Sequence, residues 1–175
     1  DKNVEIYIEK GNWTSRLLNV LKSRKEIDYV LLTTDDIFLR DKKFHFLLEE
    51  GLSYLKKNGE KSFSLAYGYN RIIKKKFGRI CQIDNLSPHL ISLRPTIYNS
   101  KFLLNMTEYI NNLNIENKTA AAFELHGSLY CQKYNFSSFG YIKKDSLKCE
   151  EGISKGEIKR DISTQLRKIL KPYFK

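Results

Sequence analysis

Hydrophobic and polar positions follow two rhythms along this chain. Val4-Glu5-Ile6-Tyr7-Ile8 alternates with a period of two, which predicts a short strand. Gly11-Asn12 breaks it. Asn12 stands where an N-cap belongs, ahead of Trp13, Leu17, Val20 and Leu21 on one helical face. Tyr29-Val30-Leu31-Leu32 is a short, continuous apolar run, which predicts a buried central strand. It leads into Thr33-Thr34-Asp35-Asp36. Phe44, Leu47, Leu48, Gly51, Leu52 and Leu55 then recur at helical spacing, with Asp41 as the cap and Asn58-Gly59 as the stop. Segments 62–69, 79–83 and 90–93 read as strands, and Pro88 and Pro95 punctuate loops. Two helices follow. One covers about 100–111 with Leu103, Met106 and Ile110 inward, and the other starts near Thr119 and carries Phe123. A last helix is predicted from a capping box, Ser154 and Glu157. Ile158, Ile162, Leu166 and Ile169 form its stripe, and Pro172 closes it.

Strands mixed with helices throughout predict an α/β class. The order of the strands is not written in the pattern. A chain of 175 residues suits one domain with its own core. No apolar run approaches the ~18 residues of a membrane span. Cys81, Cys131 and Cys149 are odd in number and far apart, which argues against a disulfide framework or a zinc knuckle and fits a reducing compartment. The chain begins at Asp1 rather than Met, which reads as a piece of a longer protein.

Asp35 and Asp36 carry the first chemical expectation. An apolar strand delivers both to its C-terminal end, where open α/β sheets bind ligands. Adjacent carboxylates repel unless a cation or hydrogen-bond donors neutralise them. Mn²⁺ or Mg²⁺ takes such oxygen ligands and bridges them to substrate phosphates. The plain alternative is an Asp that caps the next element.

The context of the pair has a resemblance. Trp13-Thr-Ser-Arg-Leu-Leu18 followed by Tyr29-Val-Leu-Leu-Thr-Thr-Asp-Asp-Ile-Phe-Leu39 resembles a family of bacterial GT-A-type glycosyltransferases. Ile91-Ser-Leu-Arg-Pro-Thr-Ile-Tyr98, Phe102-Leu103-Leu104, Phe123-Glu-Leu-His-Gly-Ser128 and Gly152-Ile-Ser-Lys-Gly156 are similar to later segments of that family, in the same order. The resemblance implies a GT-A-like mixed sheet flanked by helices. Residues 1–175 would then be a single domain, the C-terminal catalytic portion of an enzyme whose N-terminal nucleotide-binding part is not in this chain. It implies a metal-dependent glycosyltransferase that moves a sugar from a nucleotide-diphosphate donor to a glycan or lipid-linked acceptor in surface polysaccharide synthesis. Such an enzyme is cytoplasmic and works at the inner face of the membrane. By the family pattern Asp36, with Asp35, holds Mn²⁺ or Mg²⁺ and the donor diphosphate. The motif here is Asp-Asp-Ile, where many GT-A enzymes have a spaced Asp-x-Asp.

Further candidate residues follow from the same reading. Glu124 is the candidate general base for an acceptor hydroxyl; the plain alternative is a solvated helix Glu. His126, two positions on, points to another side of a helix and does not share a metal with Glu124 there. Lys155 and Gly156, at the expected start of the final helix, are candidate contacts to the leaving diphosphate. Arg94 is a weaker candidate for an acceptor or phosphate, and Trp13 fits a helix core position.

A net charge of +11 favours anionic partners. Arg71-Ile-Ile-Lys-Lys-Lys-Phe-Gly-Arg79 holds five cations and no acid, and the tail adds Lys168, Lys171 and Lys175. These stretches suit an anionic membrane leaflet or nucleic acid, or are simply solvated. No RNP, zinc-finger or helix-turn-helix signature supports nucleic acid. A basic nucleic-acid-binding domain and a non-catalytic glycosyltransferase-like binding module remain the alternatives.

Overall fold

A computed structural model describes residues 10–34, 37–39, 42–68, 71–151, 153–154 and 157–158. The elements follow in the order α1 (Trp13–Ser23), β1 (Tyr29–Leu32), β2 (Ile37–Leu39), α2 (Phe44–Asn58), β3 (Ser62–Ser64), β4 (Ile73–Phe77), β5 (Ile80–Ile83), β6 (Thr96–Asn99), α3 (Ser100–Asn111), α4 (Ala120–Lys133), β7 (Ser138–Tyr141), β8 (Cys149–Glu151), β9 (Ile153–Ser154) and β10 (Glu157–Ile158). The fold is α/β. A six-stranded mixed sheet has the order β1-β6-β3-β7-β5-β4, and β2–β8 and β9–β10 form two small antiparallel pairs.

The sheet is mixed because β6 enters against its neighbours. It pairs antiparallel with both β1 and β3, while β3 and β7 are parallel. Thus β1, β3 and β7 run the same way and end at one edge of the sheet. Helices cover both faces. Successive residues of a strand point to opposite sides, and β6 divides accordingly. Ile97 joins Leu47, Leu55, Phe63, Phe139 and Tyr141 under α2, while Tyr98 joins Leu21, Leu103, Met106, Ile110 and Phe123 under α1, α3 and α4. Each such buried aliphatic or aromatic side chain contributes about 1.5–3 kcal/mol. Trp13 packs on Phe123 with ring centroids 4.9 Å apart, which ties α1 to α4 and matches its expected core role.

Local signals set most helix ends. The side chains of Asn12, Asn99 and Thr119 each accept a hydrogen bond from a first-turn amide: Ser15, Phe102 and Ala122 respectively. Gly59 ends α2 at φ +66°, a conformation glycine adopts without strain. The N-cap of α2 is Lys43, without a side-chain cap bond, rather than the expected Asp41; Asp41 itself and the strand expected over residues 4–8 lie outside the described residues.

Four expectations need correction. Among the described residues β1 has one neighbour, β6, and is half-buried, so its apolar run marks an edge rather than a central strand. The strand expected over 62–69 is regular only through Ser64. Segment 90–93 is a loop, because side chains rather than a neighbouring strand take its amides. The helix expected from Ser154 is not formed at its start: Ser154 and Glu157 are cross-strand partners in β9–β10. Sequence reading also missed β4, β6 and β7 as strands. No helix among the described residues is long and apolar enough to cross a membrane.

Candidate functional site

The C-terminal ends of β1, β3 and β7 and the start of β6 meet at one edge of the sheet. The register places Leu32 of β1 opposite Thr96 of β6, and Thr96 opposite Ser64 of β3. Ser64 lies beside Gly140 of β7. Polar side chains gather there and satisfy one another. Ser64 Oγ donates to the Ala66 carbonyl at 2.8 Å, and Thr96 Oγ1 donates to the Arg94 carbonyl at 2.8 Å.

Arg71 lies across these strand ends. Its guanidinium donates through Nη2 to Ser64 Oγ at 2.9 Å and through Nη1 to the Ala66 carbonyl at 3.3 Å. Among the described residues its Nε has no hydrogen-bond partner. Burial pulls the Arg71 pKa below the usual arginine range, and the nearby Arg94 charge adds to this. A small residue makes room for it. A Cβ on Gly68 would stand 2.6 Å from Arg71 Nε; Gly140 instead lets β7 approach β3, since a Cβ there would stand 2.8 Å from the Ser64 carbonyl. The sequence pattern puts Arg71 in a basic run suited to an anionic membrane leaflet, to nucleic acid or to solvent. Nothing in the pattern separates it from the exposed lysines that follow.

The loop from Leu90 to Pro95 closes this edge, and α4 holds it. Four consecutive amides of the loop are taken by side chains: Ile91 N–H donates to Ser128 Oγ at 3.1 Å, Ser92 N–H to Tyr98 Oη at 3.3 Å, Leu93 N–H to Glu124 Oε1 at 2.7 Å and Arg94 N–H to Ser92 Oγ at 3.1 Å. Tyr98 Oη in turn donates to the Ser92 carbonyl at 2.8 Å, and burial raises its phenol pKa. Gly127 completes the contact, for its bare Cα lets Ile91 approach. Glu124, Gly127 and Ser128 occupy one face of α4 at i, i+3 and i+4. Phe123 points away from that loop-facing carboxylate into the core.

Of the residues singled out from sequence, Glu124 is therefore placed, one oxygen engaged by the Leu93 amide and the side chain half-exposed. Asp35, Asp36, Lys155 and Gly156 lie outside the described residues. The described part of the chain leading to Asp35 ends at Thr34, two residues past the end of β1. Lys155-Gly156 separates β9 from β10 in sequence. The flanking strands remove the helix N-terminus expected to help these residues. His126 sits on α4 with Glu124, and among the described residues no three His, Cys, Asp or Glu side chains group as metal ligands.

Two open clefts lie elsewhere. One of about 490 Å³, lined by Lys25, Asp28, Lys61 and Lys101, is at the opposite end of the sheet, where β1 and β3 begin. Another of about 500 Å³ lies between the starts of α1 and α4, lined by Arg16, Glu116 and Lys118. The chain matches no protein-family model and no curated protein sequence.

Proposed function

We propose that the chain is the catalytic part of a metal-dependent glycosyltransferase with a GT-A-like fold. In this reading it moves a sugar from a nucleotide-diphosphate donor to a glycan or lipid-linked acceptor in surface polysaccharide synthesis, in the cytoplasm. The observation that carries the reading is the direction of β1. This strand runs parallel to β3 and β7, and its C-terminal end faces the edge where the three strands finish. The chain continues from that end to Asp35-Asp36. Ligands of α/β sheets bind at such ends.

Two adjacent carboxylates are the donor type that Mn²⁺ or Mg²⁺ prefers, with Asp36 and Asp35 as the residues that would hold it. The ion supplies charge against the leaving diphosphate. Lys155 and Gly156 serve that diphosphate through the lysine charge and the glycine backbone, without a helix dipole behind them. Glu124 is the general base. Leu93 N–H holds its Oε1, which fixes the side chain and leaves Oε2 to take the acceptor proton. The α4–loop contact thereby positions the base.

The test is release of nucleoside diphosphate from a panel of nucleotide sugars by the full chain, with Mn²⁺ and an acceptor extract. Release from one donor, lost in Asp36→Asn, supports the reading. Release that is unchanged in Asp36→Asn contradicts it.

A further inference from the structure

β4 closes the sheet on the side away from β1, and only β5 pairs with it among the described residues. Lys74, Lys75, Lys76 and Phe77 are all exposed, so the strand is bare on both faces beyond Ile73, which packs against the core. Large apolar side chains stand in solvent at both of its ends. Ile72 is 50% exposed, and Leu86 beside it is 70% exposed. The turn carrying Leu86 is tied there because Asp84 N–H donates to the Ile72 carbonyl and Ile72 N–H donates to Ser87 Oγ. At the other end Phe77 is 43% exposed and Phe46 is 55% exposed. The Arg79 guanidinium lies 4.8 Å from the Phe46 ring, which brings Phe46 of α2 to the hairpin turn. Lys75 Nζ lies 5.2 Å from the Phe77 ring, so cation and apolar surface are interleaved.

The charges decide what can cover this strand. A second copy pairing edge to edge would set Lys74, Lys75 and Lys76 against lysines, and like charges opposite one another in a ladder repel. The partner is therefore anionic. Lysines on an edge strand also serve to keep sheets from aggregating. That role does not explain four large apolar side chains left in water around them. Nucleic acid would use the lysines, and the two phenylalanines as stacking platforms, but has no use for Leu86 and Ile72. A bilayer surface uses all of them: lysines at the headgroups, aliphatic and aromatic side chains at the acyl boundary.

We infer that the β4–β5 hairpin, with Phe46 and Leu86 at its ends, docks the protein on an anionic membrane surface. This goes beyond the glycosyl-transfer reading and does not rest on it.

The experiment is co-sedimentation of the full chain with vesicles of phosphatidylcholine alone and of phosphatidylcholine mixed with phosphatidylglycerol. The expected result is binding to the mixed vesicles and none to the neutral ones, weakening as salt is raised. Each lysine at such a surface is worth about fivefold in partitioning, so the Lys74→Gln/Lys75→Gln/Lys76→Gln variant should bind about a hundredfold less. Leu86→Ser/Phe77→Ser should also bind less. All five side chains are exposed, so circular dichroism and melting should stay unchanged. Equal binding to both vesicle types, or undiminished binding by the triple variant, overturns the proposal. So does binding to duplex DNA that the lysine variant loses and the Leu86/Phe77 variant keeps, without vesicle binding.

Discussion

Glu124 Oε1 accepts a hydrogen bond of 2.7 Å from the Leu93 amide. The one acidic side chain that sequence reading selected for catalysis, and that the described structure places, is thus also a clasp between α4 and the loop closing the strand ends. The two roles separate experimentally. Glu124→Gln keeps an acceptor oxygen for the amide and removes the proposed base. Transfer should fall by about 10²–10⁴ with melting nearly unchanged. Glu124→Ala should in addition lose about 1–3 kcal/mol, because the Leu93 amide is left unpaired. Rates and urea midpoints of the two variants check this. Full activity in Glu124→Gln would leave only the clasp.

Gly51 predicts a sign. Alanine in a helix interior gains about 1 kcal/mol over glycine. At Gly51, however, the new Cβ would stand 2.9 Å from Phe63 Cδ1 and 3.2 Å from Ile97 Cδ1, and Phe63 is fully buried. Overpacking of about 1–3 kcal/mol outweighs the propensity gain. Gly51→Ala should therefore lower the urea midpoint.

Asn99 caps α3 through its bond from Phe102 N–H at 3.0 Å. Asn99→Ala should cost about 1 kcal/mol, read as a lower urea midpoint at unchanged slope. Asn99→Asp keeps the acceptor and should recover most of it.

Burial raises the Cys131 thiol to about 12. The folded state thus holds this proton more tightly than the unfolded chain, whose thiol titrates near 9.0. The stabilisation is complete below that value and is lost as pH rises through the folded value. Burial raises Tyr98 and Tyr141 as well, so they act in the same direction. Stability should hold to about pH 9 and fall above it. A thiol reagent at pH 8 should label the half-buried Cys149 first and reach the buried Cys81 and Cys131 only on unfolding.

Where a single element decides its own structure, the sequence was readable. The Asn12 and Thr119 signals and the spacing of Leu47, Gly51 and Leu55 are local, and they mark α1, α4 and α2 as found. Elements decided by tertiary partners were not readable. From Lys74 on, β4 is bare on both faces, so its lysines carry no alternation to detect. Leu90 to Leu93 looks like a strand by apolar content, yet Ser128, Tyr98 and Glu124 claim its amides from distant parts of the chain. Ser154 and Glu157 have capping-box spacing, and the same spacing serves a two-strand ladder. Arg71 is indistinguishable in sequence from the lysines beside it. Its burial depends on the space left by Gly68 and on its hydrogen bonds to Ser64 and Ala66 at the end of β3.

The most direct test is calorimetric titration of UDP, GDP and CMP into the full chain, with Mn²⁺ and again with EDTA. One nucleoside diphosphate should bind with Mn²⁺, lose its affinity in EDTA, and fail to bind Asp36→Asn that melts like the parent. Binding of that nucleotide that survives both EDTA and Asp36→Asn would contradict a metal-dependent donor site at the end of β1.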